Sequence, residues 1–270
     1  MKLAISTLGC PDWDFLRVLK EYSALGVDIE VRGIDGEMEA DRIARFSPER
    51  AQETKALLRE YGLRIVGFGT SCKFHDPETL AENIAAARRA VDVCARMDIP
   101  AIRVFGNDIP DKARMAETAH TVCTGLKVVC EYAAQRGMGV NLEIHGDFNS
   151  TEAIRLVVDE MAGTESFGIL WDIEHSDKIY GDNFLPFYET VKPRLRHVHV
   201  KDHVRMPDGT FKLCHVGDGD IPIAAIVKKL IEDGFDGYFS LEWEKKWHPE
   251  LPDCDTEFPF YHDFMENCLK

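Results

Sequence analysis

The sequence predicts a single (β/α)8 TIM barrel spanning residues 1–270. Three observations carry that reading. Eight short β-rich runs alternate with eight longer amphipathic stretches from one end of the chain to the other. No linker or low-complexity tract interrupts them. The turn after the first run, Ser6-Thr7-Leu8-Gly9-Cys10, lacks the GxGxxG phosphate turn that an open doubly wound sheet would place there.

Each element has a local reason. The first strand is expected at Leu3–Ser6, and the helix Asp12–Leu25 starts behind Pro11 and stops before Gly26. Val27–Val31 is the second strand. Ser47 before Pro48 has the form of an N-cap with proline at the first helical position, and that helix runs to Tyr61, before Gly62. After the third strand, Arg64–Gly69, Asp76-Pro77 repeats the device ahead of Glu78–Met97. There Leu80, Ile84, Ala87, Val91 and Ala95 fall on one stripe at three- and four-residue steps. Ala101–Phe105 leads into Lys112–Gln135, which ends at Arg136-Gly137. Gly139–Ile144 precedes a helix through Met161, with Asn149 and Glu152 as its capping box. Gly168–Asp172, Phe184–Lys192, Arg196–Val200, Ile223–Asp233, Tyr238–Trp243 and Pro259–Lys270 complete the alternation.

Composition narrows the function classes. A chain of 270 residues with 45% hydrophobic content can bury a large core. The 47 acidic residues outnumber the 32 Lys and Arg, and a net charge of −15 opposes binding to nucleic-acid phosphates. No run of 18 apolar residues suggests a membrane span, and MKLAISTLGCPDWDF does not read as a signal peptide. Eight cysteines form no CxxC pair, and Cys94, Cys123 and Cys130 fall within expected helices. Free thiols in a reducing cytoplasm are therefore expected.

Barrel enzymes work at the C-terminal ends of their strands, and here strands five to eight stand out. They read Asn141-Leu142-Glu143-Ile144-His145-Gly146, Leu170-Trp171-Asp172-Ile173-Glu174-His175, His197-Val198-His199-Val200-Lys201-Asp202 and Ser240-Leu241-Glu242-Trp243-Glu244. Strand alternation puts Glu143 with His145 on one face, His197 with His199 and Lys201, and Glu242 inward between Leu241 and Trp243. Left alone, Glu143, Asp172 and Glu242 would repel one another in a low-dielectric mouth. With one imidazole they make an oxygen/nitrogen set suited to Mn²⁺, Co²⁺ or Mg²⁺, and less so to a closed structural zinc site. Taken singly, such residues are more often ion-paired or solvated rim groups. His197, one layer deeper, reads as a hydrogen-bonded core residue, and Glu174 and Glu244 as solvated or structural. Four on successive strand ends are harder to dismiss.

In LEIHGD, GILWDIEHS, RHVHVKD and SLEWEKKWHPEL, and more weakly in GVDIEVRG and IRVFGN, the chain resembles the xylose-isomerase-like TIM-barrel superfamily of sugar isomerases and epimerases. The resemblance implies Glu143, Asp172, His199 and Glu242 as ligands of a divalent metal. Mn²⁺ is favoured, with Co²⁺, Mg²⁺ or Zn²⁺ as alternatives. His199 is taken over His197 from the HxxD form His199-Val200-Lys201-Asp202. A further similarity to ketose 3-epimerases implies that His175, in Asp172-x-x-His175, and Arg205 bind sugar, while His145 is more like the sugar-phosphate isomerase/epimerase members. The implied reaction is α-proton abstraction from a keto-sugar or keto-glycoside through a metal-stabilised cis-enediolate, with Glu143 and Glu242 as acid/base pair. His145, His175, Lys201 and Arg205 would hold sugar oxygens or neutralise the intermediate. Earlier strand ends offer Arg32, Ser71, Lys73, Arg103 and Asn107 as weaker pocket candidates. Phe74, Phe105, Trp13 and Trp247 could supply an apolar platform, while Trp243 by parity packs outward.

Three other readings stay open on the same fold. A dehydratase of the inosose or 3-dehydroshikimate type shares the first step. An endonuclease-four-like enzyme would need histidines at the second and third strand ends, which read Val31-Arg32-Gly33 and Gly69-Thr70-Ser71. A metal-free sugar-binding barrel is the non-enzyme alternative. The expected partner is a small carbohydrate, with no membrane or nucleic acid. Gly217-Asp218-Gly219-Asp220 lacks EF-hand spacing and reads as a loop into the seventh helix. The aromatic, proline-rich stretch from Trp247 to Tyr261 either caps the barrel or builds a homo-oligomer contact.

Overall fold

In the computed structural model, which describes residues 1–268, eight parallel strands close into a barrel. They are β1 (Lys2–Ser6), β2 (Asp28–Val31), β3 (Ile65–Lys73), β4 (Ala101–Asn107), β5 (Gly139–Gly146), β6 (Phe167–Asp172), β7 (Leu195–Val200) and, after an antiparallel hairpin of β8 (Asp202–Arg205) and β9 (Phe211–Cys214), β10 (Tyr238–Leu241), which returns to β1. The helices are α1 (Phe15–Leu25), α2 (Ala51–Glu60), α3 (Leu80–Arg96), α4 (Met115–Ala134), α5 (Thr151–Glu160), α6 (Ile173–Tyr180), α7 (Leu185–Val191), α8 (Ile223–Glu232) and α9 (Cys254–Asn267). Among the described residues none is long and apolar enough to cross a membrane, and all eight cysteines are free.

The eight expected strands and their order are found, and the differences are local. Two elements escaped the sequence reading. Helix α6 follows β6 with no intervening residue, so DIEHS reads as more strand. The strands of the hairpin β8–β9 have four residues each, and the alternation Phe211-Lys212-Leu213 is too short to stand out. Ser47 does not cap α2: it ends a short 3-10 turn, and α2 begins three residues after Pro48 behind Arg50. Ser150, not Asn149, caps α5 by accepting from the Ala153 N–H. Asn149 instead donates its amide to the carbonyl of His175. The final helix starts at Cys254 rather than Pro259, because a proline in the second turn costs one hydrogen bond while Phe258 gains edge contacts with Trp13 and Tyr22. Leu269 and Lys270, the end of that expected helix, lie outside the described residues. The aromatic tail thus packs on the barrel through Phe258 and through Tyr261, whose hydroxyl donates to the Phe239 carbonyl.

Alternation sorts the strand residues as expected, with Leu142, Ile144, Val198, Val200 and Leu241 fully buried toward the helices. The inside of the barrel is unusual. Where such barrels commonly stack branched aliphatic side chains, this one buries Glu30, Arg103, Glu143, Asp172, His197 and His199. Space for them comes partly from β3. A Cβ on Gly69 would lie 2.7 Å from Arg103 Nη2 and 2.9 Å from Arg32 Cδ. Register places Asp172 of β6 and Ser240 of β10 on either side of His199 of β7. The Glu242 N–H donates to the Val200 carbonyl, extending that ladder one residue past β10.

Beyond β7 the chain is gathered by one carboxylate. Asp202, fully buried, accepts N–H bonds from His203, Gly217, Gly219 and Ile221 and so ties the hairpin to the loop before α8. Asp202→Ala would strand these donors in a dry environment. The expected loss is about 2–3 kcal/mol, read as a lower midpoint in thermal or urea denaturation at unchanged far-UV circular dichroism.

Candidate metal and substrate site

Glu143, Asp172, His199 and Glu242 each offer one ligand atom, and the four atoms lie within 4.8 Å of one another in the buried mouth of the barrel. His199 organises the set. Its Nε2 meets Glu30 Oε1 at 2.8 Å, which leaves Nδ1 facing the carboxylates, 3.3 Å from Glu242, 3.7 Å from Glu143 and 3.9 Å from Asp172. Nδ1 is buried and has no hydrogen-bond partner. Asp172 is held by the helix it starts: Oδ1 accepts from the N–H groups of Glu174 and His175, directing Oδ2 into the cluster. An unpartnered imidazole nitrogen among three carboxylates fits a divalent ion of the Mn²⁺, Mg²⁺ or Zn²⁺ type. The Glu30 contact supplies the carboxylate–histidine pairing that fixes a ligand's tautomer. Two further groups, Glu30 with His197 and His199, and Asp172 with Glu174 and His175, share residues with this one.

Buried cations face the acids. Arg103 Nε lies 2.7 Å from Glu143 Oε2. Lys201, buried, reaches Asp172 at 2.9 Å, Glu242 at 2.7 Å and Glu244 at 2.5 Å. Burial pushes the Asp172 carboxyl up to about 8 despite Lys201 beside it. Burial acts the same way on Glu143 and Glu242. In Glu143 it is overcome by Arg103, and the group is lowered. In Glu242 it is overcome by His199 and Lys201, which hold the group well below the usual carboxylate range. Burial disfavours charge on His199, yet Glu242 and Glu30 raise it well above the ordinary imidazole value. His175 is driven down to about 3, mainly by burial with Lys201 adding to it, and burial also lowers His145. Two neutral imidazoles, ring centroids 4.3 Å apart, therefore stand beside the acidic cluster.

A pocket of about 230 Å³ opens over the cluster, lined by Arg32, Arg103, His145, His175, Lys201 and Trp247 among others. Lys73, Phe105, Asn107 and Glu244 also line it. Ser71 accepts a bond from the Arg32 guanidinium. Trp13 and Phe74 are core residues, and Trp243 is buried with its indole N–H on the Pro252 carbonyl. Arg205 is not brought to this pocket. It sits on β8 with its guanidinium on the carboxylate and carbonyl of Asp177. Of the two roles expected for Glu174, solvated or structural, it takes the structural one: it is buried and holds His203 at 3.1 Å and Lys178 at 2.6 Å.

Sequence reasoning missed Glu30, which bridges His197 and His199 at 2.9 and 2.8 Å. Burial alone would raise its carboxyl, but the two imidazoles hold it well below the usual range. Its signal was a carboxylate between Ile29 and Val31, one residue from the C-terminal end of β2. His197 is the hydrogen-bonded core residue expected.

The xylose isomerase-like TIM barrel family profile matches residues 18–257. Fructoselysine 3-epimerase of Shigella flexneri is 22% identical over 265 residues, covering 90% of each chain. Among solved structures, IOLI protein with a bound zinc atom superposes with a TM-score of 0.79 at 16% identity, covering 100% of this chain and 96% of that one. A D-tagatose 3-epimerase-like protein does so with a TM-score of 0.77 at 17% identity, covering 100% and 97%.

Replacing Lys201 with Met would leave Asp172, Glu242 and Glu244 without their shared ammonium. In chelator-treated protein at neutral pH the expected cost is about 3–5 kcal/mol by urea denaturation. That deficit should shrink as pH falls, because protonating the same carboxyls removes the need for a counter-charge.

Proposed function

The chain belongs to the xylose isomerase-like TIM-barrel family and is an enzyme of the isomerase/epimerase kind. From that premise we propose that it moves a proton at a carbon beside the carbonyl of a keto-sugar, with a divalent ion held by Glu143, Asp172, His199 and Glu242. The observation that carries this reading is the buried, unpartnered Nδ1 of His199 among three carboxylates. A bound divalent ion would supply Lewis-acid polarisation of the sugar carbonyl.

The chain's own residues supply the rest. Glu143 and Glu242 come from strands on opposite sides of β6 and β7, and each stays ionised beside a fixed cation, Arg103 or Lys201. The carboxylate of one takes the proton from the substrate carbon; the other, having taken up a proton from solvent, delivers it to the opposite face, and the acid formed at the first returns its proton to solvent. Bond order and atoms balance with no redox partner: one C–H breaks, one forms, and charge that develops on the sugar oxygens in between faces Arg103 and Lys201. A placed acid/base of this kind contributes roughly 10²–10⁴-fold. His145 and His175, kept neutral, can donate to and accept from sugar hydroxyls. Arg32 extends the same wall. Arg205 is proposed only as an anchor of the hairpin through Asp177.

Incubation in D₂O with ketoses and 3-keto-glycosides, followed by NMR, tests the reaction. Deuterium should enter beside the carbonyl in the ion-loaded wild type and fall at least about 10²-fold in Glu143→Gln and Glu242→Gln. Normal exchange in both variants would refute the acid/base assignment. The role of Glu30 is tested separately by calorimetry with Mn²⁺, where Glu30→Gln should weaken binding by about 10–100-fold.

A further inference from the structure

Past His145, His175 and Glu244, which line both spaces, the pocket over the carboxylates continues into a larger cleft of about 850 Å³. One wall is the hairpin, through Val204, Phe211 and Leu213. The other is the loop that carries Leu251 and Pro252. We propose that this cleft is a subsite for an uncharged, ring-sized substituent on the reacting sugar, either a second sugar residue or an aromatic aglycone. The substrate is then a conjugate rather than a free monosaccharide. The assignment rests on the isomerase/epimerase reading above and adds the class of its substrate.

Size is the first argument. The inner pocket, at about 230 Å³, falls below the roughly 300–1,000 Å³ of sites that enclose drug-sized ligands. The cleft beside it lies well within that range, so a lone sugar ring would leave most of the joined space to water.

The walls are the second argument. Phe211, 37% exposed, and Leu213 share one face of a hairpin whose root is fixed by buried Asp202 and His203, while Val204, 36% exposed, lies on the other face beside Lys212 and lines the cleft from there. Apolar groups held open this way gain by covering a ring.

Charge decides against an anionic substituent. Of the charges that line the cleft, Glu174 and Lys178 pair at 2.6 Å and Glu244 pairs with Lys201, which leaves Glu250 and Asp218 against Lys212. A phosphate or carboxylate tail would meet more negative than positive charge.

Binding by titration calorimetry tests the proposal without turnover. Two matched pairs serve as probes: D-fructose with palatinose, its O6-glucosyl derivative, and 3-keto-D-glucose with its phenyl β-glycoside. Fructose 6-phosphate is the anionic control. In at least one pair the substituted sugar should bind the Mn²⁺-loaded protein about tenfold more tightly than its parent. Phe211→Ala should erase that difference and leave the parent within about twofold. Val204→Trp, which fills the cleft from an exposed position, should do the same and guards against a folding artefact. No preference in either pair, absence of binding included, overturns the subsite, as does tighter binding of fructose 6-phosphate than of palatinose. The D₂O exchange experiment fails or succeeds on its own terms, so loss of the subsite and loss of the catalytic reading are told apart.

Discussion

The structure turns on the need to neutralise carboxylates inside a closed barrel. Glu30, Glu143, Asp172 and Glu242 lie where water cannot screen them, and burial by itself favours their neutral forms. Each has a fixed answer within reach: histidines on Glu30, Arg103 on Glu143, and Lys201 shared by Asp172 and Glu242. These pairs dictate other choices. Gly69 of β3 leaves room for Arg103 and Arg32, and the register of β6 on β7 puts an imidazole level with Asp172. A charged lumen of this kind is poor material for stability alone. Its presence is better explained by what the charges can hold and move.

Much of the fold was legible because two signals agreed. Strand pairs such as HVHV alternate with period two, and helices such as 80–96 repeat their apolar residues with period near 3.6. Where one signal was missing the reading failed. Helix α6 has no linker to announce it, and the hairpin's four-residue strands are too short for their alternation to stand out. Capping was read one residue off at Asn149, because Asn and Ser are both good N-caps and only backbone geometry chooses between them.

The site was legible to the extent that it lies on regular strands. Glu143 and Glu242 follow from parity and Asp172 from its position at a strand end, while parity leaves His197 and His199 on one face and the HxxD form of the resembled family chose His199. Glu30 and the Arg103–Glu143 pair were harder, because which side chains meet across a barrel depends on its stagger, and sequence does not display stagger. Arg205 shows the converse. The likeness to ketose 3-epimerases suggested the pocket for it, but the chain beyond Asp202 forms a hairpin that turns the guanidinium toward Asp177.

The hairpin separates two kinds of change. Its root is locked: Asp202 gathers four backbone donors, and His203 sits between Glu174 and Asp177. Its tip, from Met206 to Thr210, is exposed and closes on itself through Asp208 and Thr210. Insertions or exchanges at the tip can therefore drift through evolution without disturbing the floor of the barrel. A lineage built on this chain can vary that tip while the charged floor of the barrel stays as it was.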